Sequence, residues 1–322
     1  AMLSVRAFLV MFTLLLMSGV KSETSCNQDF ISGISKNGTF TSPKYPYAYP
    51  EASICNYRFI GEGKERVQII FEDFKLHHSE EKGLSCEAQD HVTAYIESNG
   101  RLQKIDTFCG NNIPKDVMSS GSTMTVRFNG KISGRFVKGF KAIYRFVTDF
   151  GIKTGKQKEI AGCEFVYNSS EATNGSFYSP NYPGTYPKNT ICHYLFYGKV
   201  NERVETRFMY FDIEGVQPCD VISSSDYIEF SNFNSLDRKI PKYCGKMAPK
   251  SIQSDSHFFR VTFMSDDKFD GTGFMAGYQF IDATDQYSVK RITPVSNLAC
   301  DNLASGEKGF VILLFLAHIL SS

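Results

Sequence analysis

The chain has 322 residues, long enough for two domains that each bury a core of their own. Its 35 basic and 34 acidic residues leave a net charge of +1, a balance that gives no indication of a nucleic-acid partner or of a strongly basic membrane-binding surface and leaves any recruitment to local charge. Nine cysteines and no tryptophan complete the unusual features of the composition.

Residues Met2 to Ser22 hold Arg6, an apolar run from Phe8 to Met17, and the small residues Val20 and Ser22 at the end. This pattern predicts a secretory signal peptide over residues 1–22, so the protein is expected to enter the secreted pathway and face the outside of the cell. In that compartment cysteines form bridges.

From there the chain repeats itself. Asn37 to Pro50 reads Asn-Gly-Thr-Phe-Thr-Ser-Pro-Lys-Tyr-Pro-Tyr-Ala-Tyr-Pro, and Asn174 to Pro187 reads Asn-Gly-Ser-Phe-Tyr-Ser-Pro-Asn-Tyr-Pro-Gly-Thr-Tyr-Pro. The offset of 137 (174 minus 37) also carries Cys26 onto Cys163, Cys55 onto Cys192, Phe71 onto Phe208 and Phe74 onto Phe211. One module is therefore present twice, at 26–147 and 163–282, with a polar linker at 148–162.

Eight cysteines fall as four per copy: Cys26, Cys55, Cys86 and Cys109, then Cys163, Cys192, Cys219 and Cys244. Four cysteines allow three pairings, but the first two keep the same spacing in both copies and so behave as a unit. The expected pattern is first to second and third to fourth. Cys300 is left over.

Between the cysteines, apolar residues alternate: Val67, Ile69 and Phe71; Phe140, Ala142, Tyr144 and Phe146; and Phe274, Ala276, Tyr278 and Phe280. Period two in short runs, separated by Gly, Pro, Asn and Ser, predicts half-buried antiparallel strands and an all-β fold of two β-sandwiches. The Ser-Pro-x-Tyr-Pro stretches, with prolines that donate no ladder bond, are expected to run extended along an edge with their tyrosines inward.

A cysteine, the Asn-Gly-x-Phe-x-Ser-Pro-x-Tyr-Pro-x-x-Tyr-Pro stretch, a second cysteine, a Phe-x-x-Phe strand, two more cysteines and a closing Gly-Phe-x-Ala strand resemble the CUB domain, twice over. The resemblance implies two tandem jelly-roll-like CUB sandwiches. One departure from the family is that Tyr57 and Tyr194 stand where it usually has Trp. The stretches Phe59 to Val67, Phe150 to Gly155, Phe258 to Phe263 and Phe269 to Phe274 are similar to the suppressor-of-lurcher type of tandem CUB protein. That similarity implies a non-catalytic auxiliary protein of a membrane receptor such as an ionotropic glutamate receptor. The alternatives are a soluble matrix or carbohydrate-binding CUB adhesin, and the binding portion of a CUB-bearing protease.

The resemblance also implies a Ca²⁺ site in the second module. Glu214, Asp226 and Asp266 match the three carboxylates with which many CUB domains hold the ion, and Tyr186 matches the tyrosine that orients the glutamate. Ca²⁺ takes six to eight oxygens, so carbonyls and water would complete the shell. The competing reading is three solvated loop acids, and the seven-residue step from Cys219 to Asp226 is longer than is usual in the family. In the first module His77 and Lys131 stand in place of Glu214 and Asp266, leaving Asp90 alone, so no ion is expected there. Lys131 and Asp90 could pair as ions there, with little net effect. Asp266 to Gly271 opens like an EF-hand loop, but Lys268 occupies a ligand position and Gly277 the place of the closing Glu.

Asn37, Asn168 and Asn174 begin Asn-x-Ser/Thr sequons and are expected at the surface as glycan acceptors. No metalloprotease helix or nucleophile elbow occurs. Residues 283–309 are polar, and Phe310 to Leu320 is an apolar run too short to span a bilayer. The run at 310–322 is expected to be a GPI-attachment signal, with Asn297 or Asn302 as the lipid-anchored residue; cleavage at Asn297 would remove Cys300 with the tail.

Overall fold

The computed structural model describes residues 24–79, 83–98, 100–219, 222–233 and 241–283. The expected signal peptide at 1–22, the candidate attachment residues Asn297 and Asn302, Cys300 and the apolar run at 310–322 lie outside these. Among the described residues no helix is long and apolar enough to cross a membrane. The only helical element described is a single 3-10 turn at Cys86–Ala88.

The first repeat forms β1 (Thr24–Ile31), β2 (Asn37–Thr41), β3 (Ser53–Ile60), β4 (Arg66–Lys75), β5 (His91–Ser98), β6 (Arg101–Cys109), β7 (Val117–Met118), β8 (Thr123–Gly130) and β9 (Gly139–Val147). They assemble a sheet in the order β1-β3-β8-β5-β6 and a second in the order β2-β9-β4-β7. The second repeat forms β10 (Lys156–Gln157), β11 (Glu164–Asn168), β12 (Asn174–Tyr178), β13 (Thr190–Tyr197), β14 (Glu202–Asp212), β15 (Tyr227–Ser231), β16 (Lys242–Tyr243), β17 (Ile252–Gln253), β18 (Phe258–Ser265) and β19 (Gly273–Asp282). Its sheets run β10-β11-β13-β18-β15-β16 and β12-β19-β14-β17.

Each repeat is thus a two-sheet sandwich, antiparallel apart from one pair. β1 lies parallel to β3, and β11 parallel to β13. Cys26 stands opposite Cys55 in that parallel register, and the bridge between them fastens the first strand to its neighbour. The structure pairs Cys86 with Cys109, Cys163 with Cys192 and Cys219 with Cys244 in the same first-to-second, third-to-fourth order.

The Phe-x-x-Phe spacing needs a further device, because residues three apart on a strand face opposite sides. A register shift between Phe71 and Asp73, and another between Phe208 and Tyr210, supplies the extra residue of a β-bulge. Phe71 and Phe74 both reach the core, and Phe208 and Phe211 do the same in the second repeat.

Each core is mainly aromatic. In the second repeat Phe177, fully buried, packs 5.2 Å from Tyr194 and 5.5 Å from Phe274. Tyr57 and Tyr194, in the family's tryptophan position, are buried to the ring. Each hydroxyl donates to a main-chain carbonyl, Thr41 at 2.8 Å and Tyr178 at 2.6 Å, so the buried polar tip is satisfied.

Two sequence expectations need correction. The Ser-Pro-x-Tyr-Pro stretches are not extended edges but successive turns, closed by Tyr47 N–H to Lys44 O (2.8 Å) and by Gly184 N–H to Asn181 O (2.7 Å). Lys44 and Asn181 adopt left-handed backbone (φ 60° in both), which reverses the chain where an edge strand would continue. Of their tyrosines, Tyr49 and Tyr186 point fully inward. The polar linker, for its part, places Phe150 and Ile152 in the core cluster of the second repeat.

The two repeats belong to one compact unit. Gln68 on β4 donates to the Asn181 side-chain oxygen (2.8 Å), and the Asp116 carbonyl accepts from the Asn181 side chain and from Thr185 N–H, both at 3.0 Å. The Arg66 guanidinium lies 4.5 Å from the Phe150 ring centre.

Truncating the central ring tests the core. Phe177→Ala is expected to destabilise the second repeat by about 3–5 kcal/mol, the usual loss for a fully buried phenylalanine. Urea unfolding followed by tyrosine fluorescence measures it.

Candidate metal centre

The site residues gather where four loop segments of the second repeat meet. Tyr186 ends the turn after β12, Glu214 follows β14, Asp226 precedes β15 and Asp266 follows β18. Burial gives Tyr186 its role, since a phenol enclosed in a core needs polar partners. Its hydroxyl donates to Asp226 Oδ2 at 2.6 Å and accepts the Glu214 backbone N–H at 2.9 Å. Asp226, also fully buried, takes the Asp266 backbone N–H on Oδ1 at 2.7 Å. Gly271 lies so close beneath that a Cβ there would stand 2.2 Å from the Asp212 carbonyl, so only glycine lets the two loops close on each other.

Charge is poorly balanced in this arrangement. Burial pushes the Asp226 carboxyl up to about 7; the Tyr186 hydroxyl and the Asp266 amide pull it down, and the Asp266 and Glu214 carboxylates push it up again. Glu214 Oε2 is buried with no hydrogen-bond partner. The Asp266 side chain turns to the Lys268 N–H at 2.8 Å. Among the described residues no three acidic, histidine or cysteine side chains converge as a ready-made metal cluster. The carboxylates frame the space without closing on one point. An all-oxygen donor set with an orphaned buried oxygen fits a hard cation, which would supply the positive charge the cluster lacks.

The first repeat builds the same latch without the acids. Tyr49 donates to Asp90 Oδ2 at 2.6 Å and accepts the His77 N–H at 2.9 Å, while the Lys131 N–H reaches Asp90 Oδ1 at 2.9 Å. Ile132 N–H adds a further bond to Asp90 at 3.0 Å. The Asp90 to Lys131 ion pair is replaced by that backbone bond, because the Lys131 ammonium turns to the Glu87 carbonyl at 2.7 Å. Sequence reasoning named Tyr186 and passed over Tyr49, although the repeat offset maps one onto the other.

Of the sequon asparagines, Asn37 and Asn174 are exposed at the starts of β2 and β12. Asn168 is half-buried, its side-chain oxygen accepting from Ser170 N–H at 2.9 Å.

A profile described as the CUB domain matches residues 26–144 and again residues 163–278. The chain belongs to the CUB family. CUB domains are non-catalytic interaction modules, and CUB-containing relatives are extracellular or secreted proteins. Human (Homo sapiens) Tolloid-like protein 1 is 27% identical over 270 residues, covering 84% of this CUB chain and 24% of its own length. Cubilin from Sus scrofa is 26% identical over 249 residues, covering 77% of the chain and 6% of its own length. The chain thus spans about a quarter or less of these relatives. Among solved structures, the CUB1-EGF-CUB2 domains of rat MASP-1 are 24% identical, covering 79% of this chain and 99% of that one, at a TM-score of 0.33.

The raised Asp226 carboxyl has a consequence for pH. Its folded value, about 7, lies above the roughly 3.9 of an exposed aspartate, so folding takes up a proton between the two. The stability it contributes is complete below about pH 4 and lost as pH rises through about 7. In chelator, urea unfolding should show a second repeat weaker at about pH 7.5 than at about pH 5. Asp226→Asn should flatten that difference.

Proposed function

We propose that this chain is an extracellular, non-catalytic protein-binding protein whose second CUB module presents a Ca²⁺-supported surface to a membrane receptor. An ionotropic glutamate receptor is the receptor class that its similarity to the suppressor-of-lurcher type implies. The observation that carries the reading is the buried Asp226 carboxylate crowded by Glu214 and Asp266, with Glu214 Oε2 unpartnered beside it. Glu214, Asp226 and Asp266 would hold the ion, and Tyr186 would orient the glutamate by holding its backbone.

A bound Ca²⁺ supplies two positive charges. Against three carboxylates that leaves a net charge of about −1, still attractive to a lysine or arginine of a partner. The loops, relieved of mutual repulsion, need less ordering when the partner docks. His77 and Lys131 deny the first module this mode, and its Asp90 is satisfied by backbone N–H groups instead.

Binding of the full chain to immobilised glutamate-receptor ectodomain, measured by surface plasmon resonance, tests the proposal. Binding at millimolar Ca²⁺ should weaken about tenfold or more in chelator and in Asp226→Ala, a loss of about 1.4 kcal/mol or more. Asp90→Ala should change it little. Affinity unchanged by both chelator and Asp226→Ala would reduce the site to a structural staple, and absence of binding would remove the receptor assignment.

A further inference from the structure

Two of the four loops that frame the cation site of the second module are held from outside by the first. One is the turn leading to Tyr186. Its Asn181, 1% exposed, accepts from Gln68 Nε2 at 2.8 Å and donates to the Asp116 carbonyl at 3.0 Å. Thr185 N–H donates to that same carbonyl at 3.0 Å. The very next residue is Tyr186, which holds Asp226 and the Glu214 backbone. The other loop starts at Asp266, and its Asp267 carbonyl accepts Gln103 Nε2 from β6 of the first module at 3.1 Å. A Lys188 to Asp270 ion pair at 3.5 Å, each side chain 11% exposed, ties the two loops together.

The repeat itself shows that this contact is particular to the second copy. The 137-residue offset puts Lys44 where Asn181 stands and Tyr47 where Gly184 stands. Lys44 is exposed, and so is Tyr47 at 77%. In the second copy any side chain at position 184 would collide, since a Cβ there would lie 2.3 Å from the Asp116 oxygen. Glycine and asparagine thus replace the two residues that would hold the modules apart.

We propose that the first module is a working part of the second module's cation site, its Gln68, Gln103 and Asp116 positioning the loops that carry Tyr186 and Asp266. The proposal rests on the cation reading given above. Loops already pinned at the junction lose less conformational freedom when the ion draws their carboxylates together. Linkage then makes the effect mutual, so the ion tightens the junction by the same factor that the junction tightens the ion.

Calorimetric titration of the full chain with Ca²⁺ alone, beside hydrogen exchange at Val117 to Ser119 of the first module, tests it. Gly184→Ala, which wedges the junction, should weaken Ca²⁺ binding about fivefold or more, and Gln68→Ala should do so to a smaller extent. Gln68 lies outside the second module, so its variant keeps the test available if Gly184→Ala fails to fold. In the wild-type chain, Ca²⁺ should slow exchange at Val117 to Ser119, and a merely structural contact would not produce that response. Unchanged Ca²⁺ affinity in both variants, together with exchange indifferent to the ion, would overturn the proposal. Absence of any Ca²⁺ binding by the wild-type chain would instead overturn the cation reading, before a variant is compared.

Discussion

A tyrosine hydroxyl resting on a buried carboxylate closes the same end of both sandwiches. Tyr49 with Asp90 and Tyr186 with Asp226 are each 2.6 Å apart, and each carboxylate takes a backbone N–H from the loop that follows the neighbouring strand. A charge buried in an aromatic core is costly unless it is fully hydrogen-bonded, so this pair dictates how the surrounding loops run. Three chain segments distant in sequence are drawn to one aspartate, and the geometry of any site built there is inherited from that requirement.

On this common latch the two copies diverge in charge. The first surrounds Asp90 with a histidine and a lysine and satisfies it with main-chain donors. The second surrounds Asp226 with two more carboxylates and leaves one glutamate oxygen without a partner. Divergence extends over the sheet surface: Glu72 and Lys141 pair at 2.8 Å on the first module, whereas Met209 and Tyr210 are exposed on the corresponding strand of the second. Duplicated cores with unlike exteriors assign different surfaces to the two modules while conserving the packing that each needs to fold.

The junction adds a constraint that neither module carries alone. Phe150 and Ile152 anchor the connecting segment in the second core, and Arg66 of the first module covers the Phe150 ring. Burial against that ring pulls the guanidinium down to about 10, although Arg66 stays partly exposed. Hydrogen bonds from Gln68, Asn181 and Thr185 then meet at a surface from which side-chain bulk has been removed at Gly184.

The repeat, the cysteine pairing and the all-β sandwich were legible in the chain, because they depend on periodicity and spacing, which a linear sequence displays directly; the acidic residues were singled out only through the resemblance to CUB domains, since nothing in their own spacing marks them. Tertiary structure decided what depends on distance between segments remote in sequence. The proline-rich stretches turn back because Lys44 and Asn181 take left-handed backbone, a choice alternation does not reveal. Lys131 could not be denied an ion pair with Asp90 until its ammonium was seen on the Glu87 carbonyl. The junction was foreshadowed by the exchange of Lys44 and Tyr47 for Asn181 and Gly184, but a lost side chain becomes an interface only when a second surface occupies the space. Asp116, more than sixty residues earlier in the chain, is what fills it.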